Sequence, residues 1–74
     1  MGTDQRLQRI ELPDPATARS VREDFGWSRR QMAAELGVSE SSIVRWERGT
    51  ATPTPGRLSD WVALLDRMTV EIDG

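Results

Sequence analysis

Residues 28–49, SRRQMAAELGVSESSIVRWERG, spell two short helices joined by a tight turn. Ser28 is placed to cap the first, with Gln31 three residues on as the second half of a capping box. Met32, Ala33 and Leu36 fall on one helical face, which predicts their burial. Gly37 sits where a helix C-terminus favours a residue free to take positive φ. Val38 is the apolar residue of the turn, and Ser39 is the next N-cap. The second helix is predicted over 40–48, stopping before Gly49.

That second helix has two unlike sides. Ile43 and Trp46, three apart, point inward together. Ser41, Arg45 and Arg48 lie on roughly the opposite face, with Glu40 and Ser42 in the first turn. Taken alone, such a polar face is an ordinary solvated one. The order of cap, helix, glycine turn, cap, helix and glycine makes it more specific. A helix that packs on its own domain with one side and offers donors and acceptors with the other can lie in a DNA major groove.

The unit resembles the helix-turn-helix of the phage-repressor, Cro/C1-type (XRE) family. The resemblance rests on Gly26, Ser28, Met32-Ala33, Leu36-Gly37-Val38-Ser39, Ser42-Ile43, Trp46-Glu47-Arg48-Gly49 and Pro53, over about residues 18–65. The W-E-R-G tail followed by a proline is the more specific part, and L-G-V-S is common to many helix-turn-helix proteins. The resemblance implies an all-α, four-helix bundle of lambda-repressor-like type. It also implies that Arg22 pairs with Glu47 as a structural ion pair.

Outward from this unit, Pro15 suits the first position of a helix. That helix is expected to run to about Asp24 or Phe25, with Ala18, Val21 and Phe25 inward, and Gly26 ends it. Pro13-Asp14-Pro15 is a stiff stop before it. Residues 1–14 read as an N-terminal arm. Leu7, Ile10 and Leu12 are candidate anchors, and Arg6 and Arg9 are either phosphate contacts or ordinary charges on a loose tail. On the other side, TATPTP at 50–55 is extended, and Thr54 is a candidate cap for a fourth helix to about Arg67 or Met68. Leu58, Trp61, Val62, Leu65 and Met68 form its stripe, with Leu64 alongside. The three tryptophans supply large apolar area to a small core. Thr69, Val70, Glu71 and Ile72 alternate, so residues 69–74 are expected to form a tail with a short strand in place of the fifth helix usual in the family. The helix-turn-helix domain is thus bounded at 15–68.

Composition narrows the functions. The 74 residues make one small domain, near the size at which a single core is marginal. There is no cysteine and no histidine, hence no disulfide framework, no thiolate site and no common general base. No nucleophile–base pair, phosphate loop or paired-carboxylate motif is visible, so an enzyme, a cofactor and a metal site are not expected. No apolar run approaches the roughly 20 residues of a membrane span, and a soluble, cytoplasmic protein is expected. The net charge of −2 is uneven. Residues 19–57 hold seven arginines against five acids, and residues 58–74 hold one arginine against four. The basic charge lies on the proposed motif.

Two functions follow. The first is sequence-specific binding of double-stranded DNA by a small bacterial or phage regulator, a repressor by family analogy. It would bind a two-fold-related operator as a weak homodimer. Glu40, Ser41, Val44 and Arg45 are the candidate base contacts. Arg45 suits guanine O6/N7, while Glu40 either accepts from cytosine N4 or orients Arg29 or Arg45. Ser28, Arg29, Arg30, Ser39, Ser42, Arg48 and Thr50 are the candidate phosphate contacts. The second function is a protein-interaction module, such as an antitoxin, that binds a partner protein through the fourth helix and the acidic tail. The absence of basic residues from Thr50–Pro55 favours this alternative.

Overall fold

The computed structural model describes residues 12–74, which form four helices: α1 (Pro15–Phe25), α2 (Arg29–Leu36), α3 (Glu40–Arg48) and α4 (Pro55–Asp73). The expectations for Leu7, Ile10, Arg6 and Arg9 lie outside the described residues.

Local hydrogen bonds set most boundaries. Asp14 caps α1, its Oδ2 accepting from the Thr17 N–H and from Thr17 Oγ1, both at 3.0 Å. Pro15 takes the first turn as expected, and Asp14, part of the stiff stop ahead of it, is the cap. The capping box at α2 is present in both halves. Ser28 Oγ accepts from the Gln31 N–H at 3.1 Å, and Gln31 Oε1 accepts from the Ser28 N–H at 2.8 Å. Gly37, at φ 69°, ends α2 and lets the Val38 N–H reach back to Ala33 O at 3.0 Å. That six-to-one bond satisfies a carbonyl the helix leaves open, and the left-handed backbone it requires costs glycine little. Ser39 caps α3, its Oγ accepting from the Ser42 N–H. Thr54 holds the N-cap position of α4, but its side chain makes no capping hydrogen bond.

The core lies where α4 runs along α1 and α2 packs on α3. Met32, Ile43, Trp61 and Met68 are fully buried, with Ala18, Ala33, Leu36, Trp46, Leu64 and Leu65 around them. Val21, Phe25, Trp27, Val38, Ala51 and Leu58 close its edge. Leu64, read as flanking the stripe of α4, is in the core, whereas Val62 is half-buried.

The tail differs from expectation. Residues 69–73 are the last turns of α4, and no strand occurs among the described residues. Thr69 Oγ1 donates to Leu65 O at 2.9 Å, and the Gly74 N–H reaches Val70 O at 2.8 Å. Extending a formed helix adds a hydrogen bond for each residue fixed. A lone four-residue strand has no mate to bond. The alternation at 69–72 also hid a helical series, Leu65, Met68 and Ile72, on one face. Only its end is uncovered, where Ile72 is 42% exposed; Val70, on the other side of the helix, is 69% exposed.

Candidate nucleic-acid interface

α3 is held from its inner side. Ile43 and Trp46 are buried, and so is Glu47. Arg22 reaches Glu47 from α1 by a bidentate pair. Arg22 Nε donates to Glu47 Oε2 at 2.7 Å, and Nη2 donates to Oε1 at 3.0 Å. Arg22 Nη1 also donates to Trp27 O at 2.7 Å. The two side chains are only 5% and 3% exposed. The hydrogen bonds Arg22 donates to Glu47 push the Arg22 pKa above its ordinary value, outweighing the opposite effect of burial. α1 and α3 are thereby locked in one relative rotation. That rotation turns Glu40, Ser41, Arg45 and Arg48 to the surface, with Val44 and Ser42 half-buried beside them.

The candidate contacts divide by what they already do. Arg30, Arg45 and Arg48 are exposed and take no ion-pair partner among the described residues. Glu40 bonds neither Arg29 nor Arg45, so in the free protein it does not orient them. The serines have structural work. Ser28 sits in the capping box, and Ser39 Oγ and Ser42 Oγ lie 3.0 Å apart. Thr50 Oγ1 donates to Arg45 O at 3.3 Å, at the end of α3. Their oxygens hold the ends of α2 and α3.

Two arginines outside the expected set matter. Arg57, in the first turn of α4, donates from Nη1 to Leu36 O at 2.8 Å and so ties α4 to the C-terminus of α2. Arg19 of α1 lines a cleft with Arg29, Val44, Glu47 and Arg48. Arg57 has no local sequence signal, because its partner lies on another helix; Arg19 pairs with Glu23 on its own helix, but its neighbours in the cleft come from α2 and α3. Among the described residues no cluster of histidine, cysteine or carboxylate side chains suits a metal ion.

A capped helix, a left-handed glycine turn and a capped second helix with a buried W-E pair thus stand in one rigid unit. A helix-turn-helix family model matches residues 19–71, most of the chain. The chain belongs to the Cro/C1-type (XRE) helix-turn-helix family. It is accordingly a helix-turn-helix DNA-binding regulator. Comparison with curated proteins and with solved structures found no match. No helix among the described residues is long and apolar enough to cross a membrane.

Proposed function

We propose that this Cro/C1-type protein binds a specific double-stranded DNA operator in the bacterial or phage cytoplasm and represses by occluding a promoter. The observation that carries the reading is the outer face of α3, where Glu40, Ser41, Arg45 and Arg48 are exposed while the inner face is buried. Arg45 reads guanine through O6 and N7, Ser41 meets a neighbouring base edge, and Glu40 accepts from cytosine N4. Val44, half-buried, fits a thymine methyl. Arg29, Arg30 and Arg48 bind phosphate, together with Ser28, Ser39, Ser42 and Thr50 and the open amides at the start of α2. This binding needs no cofactor or catalytic group. Selection from a random duplex pool, followed by titration at two salt concentrations, tests it. A defined site emerges and affinity falls with salt, whereas a flat pool without salt-dependent binding overturns the reading.

One recognition helix covers too few base pairs to select a genomic site alone. We propose a weak homodimer on half-sites about 34 Å apart. Its contact is the last turn of α4, with Ile72 at the end of the apolar face and Val70 on the other side of the helix, in place of strand pairing, since residues 69–73 are helical. The same exposed apolar residues, flanked by Asp66, Glu71 and Asp73, are what favours the second reading, an antitoxin-like contact with a partner protein.

A further inference from the structure

The cleft between α1, α2 and α3 gathers cations from all three helices. It has a volume of about 170 Å³ and is lined by Arg19, Arg29, Val44, Glu47 and Arg48. Glu47 is the one carboxylate among these residues, and both its oxygens are taken by Arg22. Three guanidinium groups therefore face one hollow without a free counter-charge in its wall. Like charges repel more strongly where water is partly excluded.

Arg29 shows the deficit at the level of an atom. Its Nε is shut off from solvent and has no hydrogen-bond partner among the described residues. A buried charged donor costs free energy until an acceptor arrives. Arg19 does have an acceptor, since its Nε lies 3.0 Å from Glu23 Oε2. Those side chains are 57% and 51% exposed, however, and an exposed pair of this kind is weak and readily exchanged.

We propose that the cleft seats one phosphate oxyanion of the DNA backbone, and that Arg19 is a DNA contact that leaves Glu23 for that phosphate. The proposal rests on the DNA-binding reading above and adds α1 to the interface. Val44 belongs both to the cleft wall and to the half-buried edge of α3. A phosphate in the cleft thus borders the groove that α3 enters. Arg29 Nε then gains its missing acceptor, and the three arginines share one anion.

The test uses the full chain and a duplex selected from a random pool. Arg19→Ala should keep the wild-type unfolding midpoint, because Arg19 is exposed. It should lower the slope of log K against log salt by part of the roughly 0.9 that one phosphate contributes, since Arg29 and Arg48 remain on it. The loss should be equal on selected and scrambled duplexes, and Arg19→Lys should restore the slope. Duplexes carrying one neutral methylphosphonate then locate the contact. At one position the substitution should weaken wild-type binding more than Arg19→Ala binding, which keeps only the Arg29 and Arg48 contacts to that phosphate. A wild-type slope in Arg19→Ala, with duplex binding intact, overturns this proposal alone. No duplex binding by the wild type removes the DNA reading as well. A third arm titrates inorganic pyrophosphate while following the arginine Nε–H resonances without DNA. Saturable shifts at Arg19 and Arg29, combined with an unchanged DNA slope in Arg19→Ala, would assign the cleft to a free anion and overturn the backbone contact.

Discussion

Trp46 of α3 and Trp61 of α4 pack with ring centroids 5.2 Å apart and planes inclined by 47°. The contact joins α3 directly to the longest helix of the domain. Trp61 is 1% exposed, yet its Nε1–H has no hydrogen-bond partner among the described residues. The site therefore gains from area burial and loses from an unmet donor. Trp61→Phe removes both the donor and part of the area, and should cost about 1 kcal/mol. Trp61→Ala should cost about 3–5 kcal/mol, comparable to the whole stability expected of so small a core. Thermal unfolding followed by circular dichroism checks both. A Trp61→Phe loss as large as that of Trp61→Ala would show that the unmet donor carries no penalty.

Arg22 and Glu47 hold α1 against α3. Arg22→Ala leaves the Glu47 carboxylate buried without its partner and should cost about 3–5 kcal/mol. Whatever fraction remains folded should keep the wild-type DNA preference. Replacing the two together, Arg22→Met with Glu47→Leu, should be far milder than either single change, because no unpaired charge remains. A double-mutant cycle from denaturant unfolding measures this. Wild-type stability with lost DNA binding in Arg22→Ala would move Arg22 from the scaffold to the interface.

The pair also has a predictable pH response. The Arg22 pKa is raised, so its contribution is fully present below the unfolded arginine value and is lost only as pH rises through the still higher folded value. Between about pH 6 and pH 10, arginine stays charged in both states. The stability difference between wild type and Arg22→Ala should therefore be level across that window. A step within it would assign the titration to another group.

Arg45→Ala should cost roughly 1–3 kcal/mol on the selected site and relax the base preference at one position. Competition binding against single-base variants of the site reads both quantities. Equal losses on selected and scrambled DNA would make Arg45 a backbone contact.

Val70→Ser with Ile72→Ser should leave the helices formed, since both side chains are exposed at the end of α4. Single half-site binding should be unchanged, and cooperative binding to a duplex with two half-sites should fall. Retained cooperativity would exclude this end of α4 as the dimer contact.

How much could be read in advance follows the range of the interactions. Ser28 with Gln31, Ser39 with Ser42, and the glycine stops at Gly26, Gly37 and Gly49 all act within a few residues. Their geometry depends on the local chain alone, so the sequence by itself determined where α2 and α3 begin and end and which faces carry Met32, Ile43 and Trp46. The tertiary structure decided the rest. Val70 and Ile72 suited a strand whereas Leu65, Met68 and Ile72 suited a helix, and the growing helix prevailed because each added residue gained a hydrogen bond that an unpaired strand lacks. Arg57 meets Leu36 across 21 positions, and Arg22 meets Glu47 across 25. The first has no signature in the chain, and the second was foreseen only through the family resemblance. Arg19, Arg29 and Arg48 carry no local mark of a shared cleft. They face one hollow because α1, α2 and α3 pack around a common core, and packing is a property of the whole fold.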